Sequence, residues 1–236
     1  MEKFLVGGAV RDSIMGIKSN DWDFSVVAPS FEAMRAELIT EGFQIFVETP
    51  EFFTIRARGP KGFTFGGMDF GTQTFDFVWA RKDGPYSDGR RPDFVEPGTL
   101  LDDISRRDFS CNAIAKDSAG MLIDPFGGQE DIKRKVIRAV GDARQRIVVE
   151  DALRGMRAIR FSVTKGFAIH WNVIDVLRSD EFRLALRSIS TERIQGELDK
   201  AFKVDTALTI KMLTDLRLVD TIFGRDRLRL MTTTKD

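Results

Sequence analysis

Two aspartates separated by a single residue, Asp21 and Asp23, stand directly before an apolar run. Alternate side chains of a strand point to the same face, so both carboxylates can converge on one spot. Hard oxygen ligands at this spacing suit Mg²⁺, and two ions about 3.5–4 Å apart can activate an attacking hydroxyl and neutralise a leaving group. Asp76, in a later apolar run, is the candidate third carboxylate. An isolated Asp-x-Asp more often only caps a turn, so the pair alone is weak evidence.

A second pattern is the Gly7-Gly8 pair, which separates a strand-like run from a short helix-like run. Glycine backbone at a helix N-terminus can cradle a phosphate. Arg11 falls in the first turn of that helix and could reach the same anion. A plain tight turn is the favoured alternative when the pair is considered alone.

A third group combines cations with an acceptor, Arg106-Arg107-Asp108, with Asn112 a few residues further on. A triphosphate and a ribose would use such groups. A solvated charged turn is equally compatible with the pattern out of context.

The fourth group is Glu150-Asp151 followed by Arg154 and Arg157. On a continuous helix, Asp151 and Arg154 would share one face. Ionised Asp only accepts hydrogen bonds and Arg only donates them, so the pair complements cytosine and adenine but opposes an acceptor to guanine and uracil. The alternative is a salt-bridge ladder that stabilises the helix by only about 0.3–0.5 kcal/mol per pair.

Composition narrows the chemistry of these groups. Lys+Arg and Asp+Glu both number 36, so the net charge is zero, which is not typical of a strongly basic nucleic-acid binder. The single cysteine, Cys111, excludes an intramolecular disulfide and a cysteine-based zinc cluster. The single histidine, His170, argues against histidine-dependent catalysis, which leaves metal and acid–base work to carboxylates. With no signal-peptide pattern and no long apolar run, we expect a cytoplasmic protein.

The elements that must position these groups change in character along the chain. Periodicity predicts strands at 4–6, 23–27, 43–47, 52–58, 63–70 and 74–80, helices at 9–15 and 30–41, and a mobile loop at 83–99. Later segments predict helices at 150–163, 171–178, 191–202 and 205–217. Strands followed by helices predict an α+β fold with two domains, 1–140 and 141–236.

The separate patterns occur in an order that resembles a known family. The motifs are Leu5-Val6-Gly7-Gly8-Ala9-Val10-Arg11-Asp12, Asp21-x-Asp23, Arg106-Arg107-Asp108-Phe109-Ser110-Cys111-Asn112-Ala113, Asp124-Pro125-Phe126-Gly127-Gly128, Glu150-Asp151-Ala152-Leu153-Arg154-Gly155-Met156-Arg157 and Thr191-Glu192-Arg193-Ile194. Together they resemble the successive motifs of class II tRNA nucleotidyltransferases and bacterial poly(A) polymerases. The resemblance covers residues 4–200, and it replaces the separate alternative interpretations of each motif.

The resemblance implies a polymerase-β-like head, followed by a helical neck and a shortened body. It implies Mg²⁺-dependent transfer of CMP and AMP, from CTP and ATP, to a tRNA 3′ end. Asp21 and Asp23 correspond to metal ligands and, with Asp76, to the catalytic carboxylates.

The resemblance also assigns the remaining groups. Those expected to contact the nucleotide are Gly7, Gly8, Arg11, Arg107, Asp108, Asn112, Asp151, Arg154 and Arg157. Glu150, Glu192 and Arg193 are expected to support the base-reading helix. Arg90 and Arg91 lie in a segment that resembles the flexible loop required for addition of the terminal A, which favours CCA addition over CC-only addition.

Three other functions stay open on the sequence alone. One is an A-adding or poly(A) polymerase-type enzyme that acts on another RNA. Another is a degenerate nucleotide- or RNA-binding module without turnover, although no metal carboxylate is missing. The third, a protein-modifying nucleotidyltransferase, would have no evident use for a base-reading helix. Because the sequence stops soon after the Glu192-Arg193 motif, whereas family members continue into further helical regions, we expect RNA affinity and substrate identity to be affected more than the chemistry.

Overall fold

Strands of alternating character build a seven-stranded mixed sheet in the first half of the chain. A computed structural model describes residues 1–224. They divide into two compact units, one formed by Met1–Gly84 and Asp93–Lys133, and the other by Pro85–Pro92 and the chain from Arg134 onward. The expected α+β fold class is confirmed.

The strands are short, and most of them precede the long helices. They are β1 (Glu2–Val6), β2 (Asp23–Val27), β3 (Gln44–Thr49), β4 (Thr54–Arg58), β5 (Phe63–Phe65), β6 (Met68–Gly71), β7 (Thr74–Trp79), β8 (Arg81–Asp83), β9 (Val95–Pro97), β10 (Ala115–Lys116), β11 (Leu122–Ile123), β12 (Val136–Ile137) and β13 (Ala168–Ile169). The helices are α1 (Gly8–Ile14), α2 (Phe31–Thr40), α3 (Leu100–Ser105), α4 (Gly128–Arg134), α5 (Leu153–Lys165), α6 (Trp171–Leu177), α7 (Asp180–Ser188), α8 (Thr191–Phe202), α9 (Thr206–Asp215) and α10 (Val219–Phe223).

The topology of the large sheet places two aspartate-bearing strands side by side. The strand order is β11-β10-β1-β2-β7-β4-β3. Strands β2 and β7 are parallel, with Asp23 opposite Asp76, whereas β7 and β4 are antiparallel. The middle of the sheet therefore carries both acidic residues at one level.

Phenylalanine fills the core beneath this level. Phe24 of β2 and Phe77 of β7 are fully buried and stack with their ring centroids 5.3 Å apart. Phe43 meets Phe77 edge-on at 5.0 Å, and Phe24 meets Phe65 in the same way at 4.9 Å. Such pairs contribute about 0.5–1.5 kcal/mol beyond simple burial. The strands that carry the aspartates are thus held by rigid aromatic packing on the opposite face.

The second unit is helical. Helix α5 packs against α8 and α9, and its apolar side is buried through Met156, Ile159 and Val163. A π-helical turn, Gln145–Glu150, precedes α5. Strands β12 and β13 form a short parallel pair in the same unit.

Three of the predicted elements are wrong in detail. The single strand predicted at 63–70 is a hairpin, because Gly66 and Gly67 both adopt positive φ (55° and 77°) and form the tight turn between β5 and β6. The loop predicted at 83–99 contains β9, which pairs with β8. The helix predicted at 150–163 begins only at Leu153, because Asp151 is extended (φ −157°, ψ 108°).

The sequence patterns also missed helices α3, α4, α7 and α10, each of which has nine residues or fewer. Within the domain predicted at 141–236, residues 225–236 lie outside the described residues. The division near residue 140 stays a prediction about domain organisation.

Candidate functional site

The carboxylates gather at the beginning of β2. Asp21, Asp23 and Asp76 all line one cavity of about 460 Å³, together with Asn20, Trp22, Arg56 and Thr74. The backbone N–H of Asp76 donates to the carbonyl of Trp22 at 3.0 Å, which fixes the two acidic segments against each other.

Trp22 holds the Asp-x-Asp segment in place. Its ring meets Phe70 edge-on with centroids 4.7 Å apart. The hydroxyl of Ser19 donates to the carbonyl of Asp21 at 3.0 Å. The segment that presents the two aspartates is therefore anchored on both sides, although the Asp21 residue itself is exposed.

Burial and charged neighbours together set the electrostatics of this cavity. Burial raises the pKa of Asp23 above its ordinary value; Arg107 lowers it, while the Asp76 and Asp21 carboxylates raise it. Burial and mutual repulsion destabilise the charged forms of acidic groups that are held together. Such clusters are characteristic of sites that act on charged ligands. A cation placed among them would relieve the repulsion.

The fit of a divalent cation can be tested on these donors. Asp21 and Asp23 supply the hard oxygen ligands that Mg²⁺ prefers. Asp76 is oriented differently, because both of its oxygens accept hydrogen bonds from Arg56, at 2.6 Å and 2.7 Å. Over residues 1–224, no group of three or more Asp, Glu, His or Cys side chains is arranged to hold a metal ion. The donor set thus fits a cation at Asp21 and Asp23, with Asp76 turned toward Arg56.

The Gly7 turn leaves room for the Arg107 guanidinium beside the carboxylates. Its backbone (φ 76°, ψ −138°) lies in a region that residues with a side chain rarely adopt. A Cβ built on Gly7 would lie 2.6 Å from Nη1 of Arg107 and 3.8 Å from Oδ2 of Asp23. The absence of a side chain here is what lets the Arg107 guanidinium lie between the glycine turn and Asp23.

Arg107 is only partly satisfied by its neighbours. Nη2 lies 3.4 Å from Oδ2 of the buried Asp103. Its Nε is buried without a hydrogen-bond partner. A donor in this state is available to an anionic ligand.

Arg11, Asp108 and Asn112 form a buried network. Nη1 of Arg11 donates to Oδ1 of Asn112 at 2.5 Å, and Nδ2 of Asn112 donates to Oδ1 of Asp108 at 2.9 Å. Arg11 also pairs with Asp12 at 2.8 Å. Gly8 lies at the first position of α1, where an added Cβ would lie 3.5 Å from Arg11. These residues come together as predicted and hydrogen-bond with one another, and contact with a nucleotide stays a prediction.

In the second unit, Glu150 is the centre of an ion-pair cluster. Both of its oxygens accept from Nη1 of Arg146, at 3.0 Å and 2.8 Å, and Oε2 also accepts from Arg154 at 2.5 Å. Glu150 is buried at 6 % exposure. The carboxylate therefore orients Arg154, and Arg146, which the sequence patterns did not single out, helps it to do so.

Asp151 is held by a separate partner. Its Oδ2 accepts from Nη2 of Arg193 at 2.8 Å, and its Oδ1 accepts from the backbone N–H of Leu153 at 3.0 Å. Asp151 and Arg154 do not share a helical face, because the chain is extended at Asp151. They are joined instead through the backbone, where the Arg154 N–H donates to the Asp151 carbonyl at 3.0 Å. An ionised carboxylate has about four lone-pair positions, so Asp151 can accept further hydrogen bonds.

The other predicted residues of this unit differ in their surroundings. Arg157 lies with its guanidinium 5.4 Å from the ring centroid of Phe161. Glu192 is exposed in the first turn of α8, whereas Arg193 makes the contact to Asp151. A further pair, Arg160 with Glu197, joins α5 to α8; this pairing depends on the tertiary fold.

Arg90 and Arg91 belong to a turn organised by Asp88. Their backbone N–H groups donate to Oδ1 of Asp88 at 2.8 Å and 2.7 Å. Backbone hydrogen bonds from Arg91 and Arg90 lower the pKa of the Asp88 carboxyl below its ordinary value. The turn presents two adjacent arginines, both of which are exposed.

No helix within residues 1–224 combines the length and apolar character needed to cross a bilayer.

The mixed sheet, with paired aspartates at the start of a central strand and a glycine turn beside them, defines a nucleotidyltransferase head. Residues 3–138 match the family model described as the poly A polymerase head domain, and the chain belongs to that family. The predicted resemblance is thereby confirmed.

Relatives define the similarity more closely. The chain is 35% identical, over 219 residues, to the CCA-adding enzyme of Oceanobacillus iheyensis; the match covers 92% of this chain and 50% of that enzyme. The crystal structure of the Bacillus stearothermophilus CCA-adding enzyme in complex with CTP superimposes with a TM-score of 0.77 at 31% identity, covering 94% of this chain and 50% of that one. A tRNA nucleotidyltransferase solved with a primer tRNA and an incoming ATP analog gives a TM-score of 0.72 at 27% identity, covering 94% and 59%. The chain spans about half the length of the curated relatives it matches.

Proposed function

We propose that this chain transfers CMP and AMP, from CTP and ATP, to the 3′ end of a tRNA without a nucleic-acid template. The observation that carries the proposal is the cavity at the start of β2, where Asp21, Asp23 and Asp76 lie together beside Arg107. Two of the relatives to which the chain is similar are CCA-adding enzymes, and this supports tRNA as the acceptor.

Mg²⁺ is the proposed cofactor, and Asp21 and Asp23 are the residues that would hold it. When bound there, it supplies charge neutralisation for the triphosphate and lowers the pKa of the attacking 3′-hydroxyl. The chain's own contribution is to hold the two carboxylates in position, although burial raises the pKa of Asp23 and disfavours its charged form. Asp76 is the proposed third catalytic carboxylate, on the neighbouring strand.

The triphosphate is proposed to lie against the glycine turn. Arg107 is available there, because its Nε lacks a hydrogen-bond partner and Gly7 leaves room for its guanidinium. Arg11, Asp108 and Asn112 shape this side of the site through their buried network. In this role they fix the loop that carries Arg107, and Asp108 is the group proposed to meet the ribose.

Base selection is assigned to the second unit. Asp151 accepts hydrogen bonds and Arg154 donates them, which matches the amino group and ring acceptors of cytosine and adenine. Guanine and uracil present a carbonyl where those bases carry the amino group, so a carboxylate would face another acceptor. A site that leaves a buried polar group unpaired rejects the wrong ligand by large factors. Arg193 and Glu150 hold the two selecting side chains in place.

The loop around Arg90 and Arg91 is proposed to act in addition of the terminal A. The Asp88 turn presents both arginines to solvent or to a ligand. If this is correct, replacing both with Ala lowers incorporation of A while incorporation of C is retained. Equal loss of both nucleotides would contradict the assignment.

A second candidate is poly(A)-type addition. The matching family model is named for the poly A polymerase head, and that domain alone does not specify the number of nucleotides added. CCA addition is favoured, because the CCA-adding relatives extend over 92% of this chain.

A reducing, cytoplasmic setting is the proposed location. Cys111 is free and buried, and burial raises the pKa of its thiol to about 12. The side chain is therefore a packed apolar group and not a reactive thiol.

The experiment that tests the function measures incorporation of each labelled nucleoside triphosphate, with Mg²⁺, onto tRNAs that end before, within and after CCA. Addition of C, C and A that then stops supports the proposal. Long A tails would establish the second candidate. No incorporation on any of these RNAs would contradict both.

A further inference from the structure

Arg56 is hydrogen-bonded to Asp76, the third carboxylate of the cavity. On β4, Arg56 is the register partner of Asp76 on β7. Its Nε donates to Oδ1 and its Nη2 to Oδ2, at 2.6 Å and 2.7 Å, which is the two-pronged geometry typical of Arg–carboxylate pairs. Both oxygens of Asp76 therefore face the guanidinium.

The strands on either side of Asp76 place groups of opposite charge beside it. On one side its register partner is Asp23, and on the other it is Arg56. Directly opposed side chains on neighbouring strands share a face of the sheet. Arg56 and a cation at the Asp21–Asp23 pair would thus approach the same carboxylate from opposite sides, and two positive groups would compete for it.

The Arg56–Asp76 ion pair is accessible to solvent, so a cation can replace Arg56 as the partner of Asp76. The Arg56 side chain is 52% exposed and that of Asp76 is 28% exposed. Solvent screens a pair at this exposure, so it is weaker than the enclosed pairs around Glu150 despite its two-pronged geometry. A divalent cation held by Asp21 and Asp23 can displace such a partner.

We propose that Arg56 and the divalent cation are alternative partners of Asp76. Without the cation, Arg56 neutralises Asp76 and limits repulsion with Asp23. When the cation binds, Asp76 turns to it, and the guanidinium is released at the rim of the cavity, where phosphate is the ligand it suits. This inference rests on the proposed metal-dependent function. It adds a residue that sets how tightly, and at what stage, the metal is held.

The test measures metal binding directly, without nucleotide, so that it does not depend on turnover. Mn²⁺ serves as the probe, and its free concentration is read by electron paramagnetic resonance during titration of the whole chain. The variants are Arg56→Ala and, as a matched control, Arg58→Ala. Arg58 lies two residues further along β4, is also exposed, and pairs in register with Thr74. A salt concentration of about 0.15 M screens charges beyond about 8 Å, so a general loss of positive charge contributes little.

We expect Arg56→Ala to bind Mn²⁺ about two- to fivefold more tightly than the wild type, the range that corresponds to an exposed ion pair. Arg58→Ala is expected to retain the wild-type affinity. In an Asp76→Asn background, Arg56→Ala is expected to have no further effect, because the competition acts through Asp76. Circular dichroism of each variant checks that the sheet is intact.

The opposite results are equally specific. Equal tightening by Arg56→Ala and Arg58→Ala, or an Arg56 effect that persists in the Asp76→Asn background, would overturn the competition while leaving the metal site in place. Wild-type binding with no change in Arg56→Ala would overturn it as well. Absence of Mn²⁺ binding in every variant would remove the metal site itself, and would count against the proposed function together with the inference.

Discussion

The two units of this chain use charge in opposite ways. In the head, three aspartates line one cavity, and burial together with its acidic neighbours raises the pKa of Asp23. In the helical unit, the buried Glu150 is paired with two arginines, and Asp151 is paired with Arg193. The aspartate cavity of the head holds like charges together, whereas the cluster around Glu150 pairs its charges with opposite ones.

This contrast predicts which substitutions reduce activity and which reduce stability. Like charges held in a cavity destabilise a fold, and they are retained only if a ligand uses them. Enclosed opposite charges depend on each other, because removal of one leaves the other buried and unpaired. Removing a charge from the aspartate cavity should therefore abolish activity at little cost in stability, while removing one from the enclosed cluster around Glu150 should cost stability first.

The largest expected effect is on catalysis at Asp23. Replacement of Asp23 by Asn should reduce nucleotide incorporation by about 1000-fold or more, because charge stabilisation worth several kcal/mol is lost. The free energy of unfolding should rise by about 1 kcal/mol, since a buried charge repelled by its neighbours is removed. Incorporation rates and urea denaturation measure the two quantities. Asp69→Asn, on the neighbouring hairpin, should leave both near the wild-type values; full incorporation by Asp23→Asn would refute the assignment.

The helical unit should show the reverse balance at Glu150. Glu150→Ala removes the shared partner of Arg146 and Arg154 and should lower the free energy of unfolding by about 3–5 kcal/mol. The exposed pair of Glu181 with Arg144 is the matched comparison; Glu181→Ala should cost less than about 1 kcal/mol. Urea denaturation of both variants decides the point. If they lose the same stability, the contrast between enclosed and exposed pairs fails.

Base choice should respond to Asp151. In Asp151→Ala, the preference for CTP and ATP over UTP and GTP should fall by about 100-fold, because the unpaired acceptor that rejects a carbonyl is gone. The readout is the ratio of kcat/KM values for the four nucleotides. Asp199→Ala, an exposed position of α8, should keep the wild-type ratio. An unchanged ratio in Asp151→Ala would show that the base is selected elsewhere.

A smaller effect is expected at the glycine turn. Gly7→Ala should lower the free energy of unfolding by about 1–3 kcal/mol, because alanine is strained in this backbone region and its Cβ would meet Arg107. Gly16 also has positive φ (69°), but has nothing within 4 Å of an added Cβ. Gly16→Ala should therefore leave nucleotide affinity unchanged, whereas Gly7→Ala should weaken it. Equal affinity in the two variants would argue against a role for Arg107 at the phosphates.

Local patterns predicted much of the head. The strand that begins at Asp23 and the helix capped by Ser30 follow from apolar periodicity and capping chemistry, and the structure has both. Asp76 was placed on a strand from its apolar neighbours, and the sheet places it opposite Asp23. These features depend on short-range sequence, which periodicity captures.

Features set by tertiary register could not be predicted in the same way. Nothing local indicates that Arg56 would lie opposite Asp76, because the register of two strands 20 residues apart depends on the whole sheet. The extended residue at Asp151 interrupts a segment whose apolar period is helical throughout, and it is held by Arg193, which lies 42 residues away. For the same reason, sequence spacing did not reveal that Arg146 shares Glu150 with Arg154.

The most direct test of the division of labour compares three proteins in one assay. Single-turnover incorporation of each of the four labelled nucleotides onto a tRNA lacking its CCA end is measured for the wild type, Asp23→Asn and Asp151→Ala. We expect incorporation of C and then A by the wild type, none by Asp23→Asn, and incorporation of all four nucleotides by Asp151→Ala. Incorporation by Asp23→Asn, or strict selection of C and A by Asp151→Ala, would contradict this division of labour.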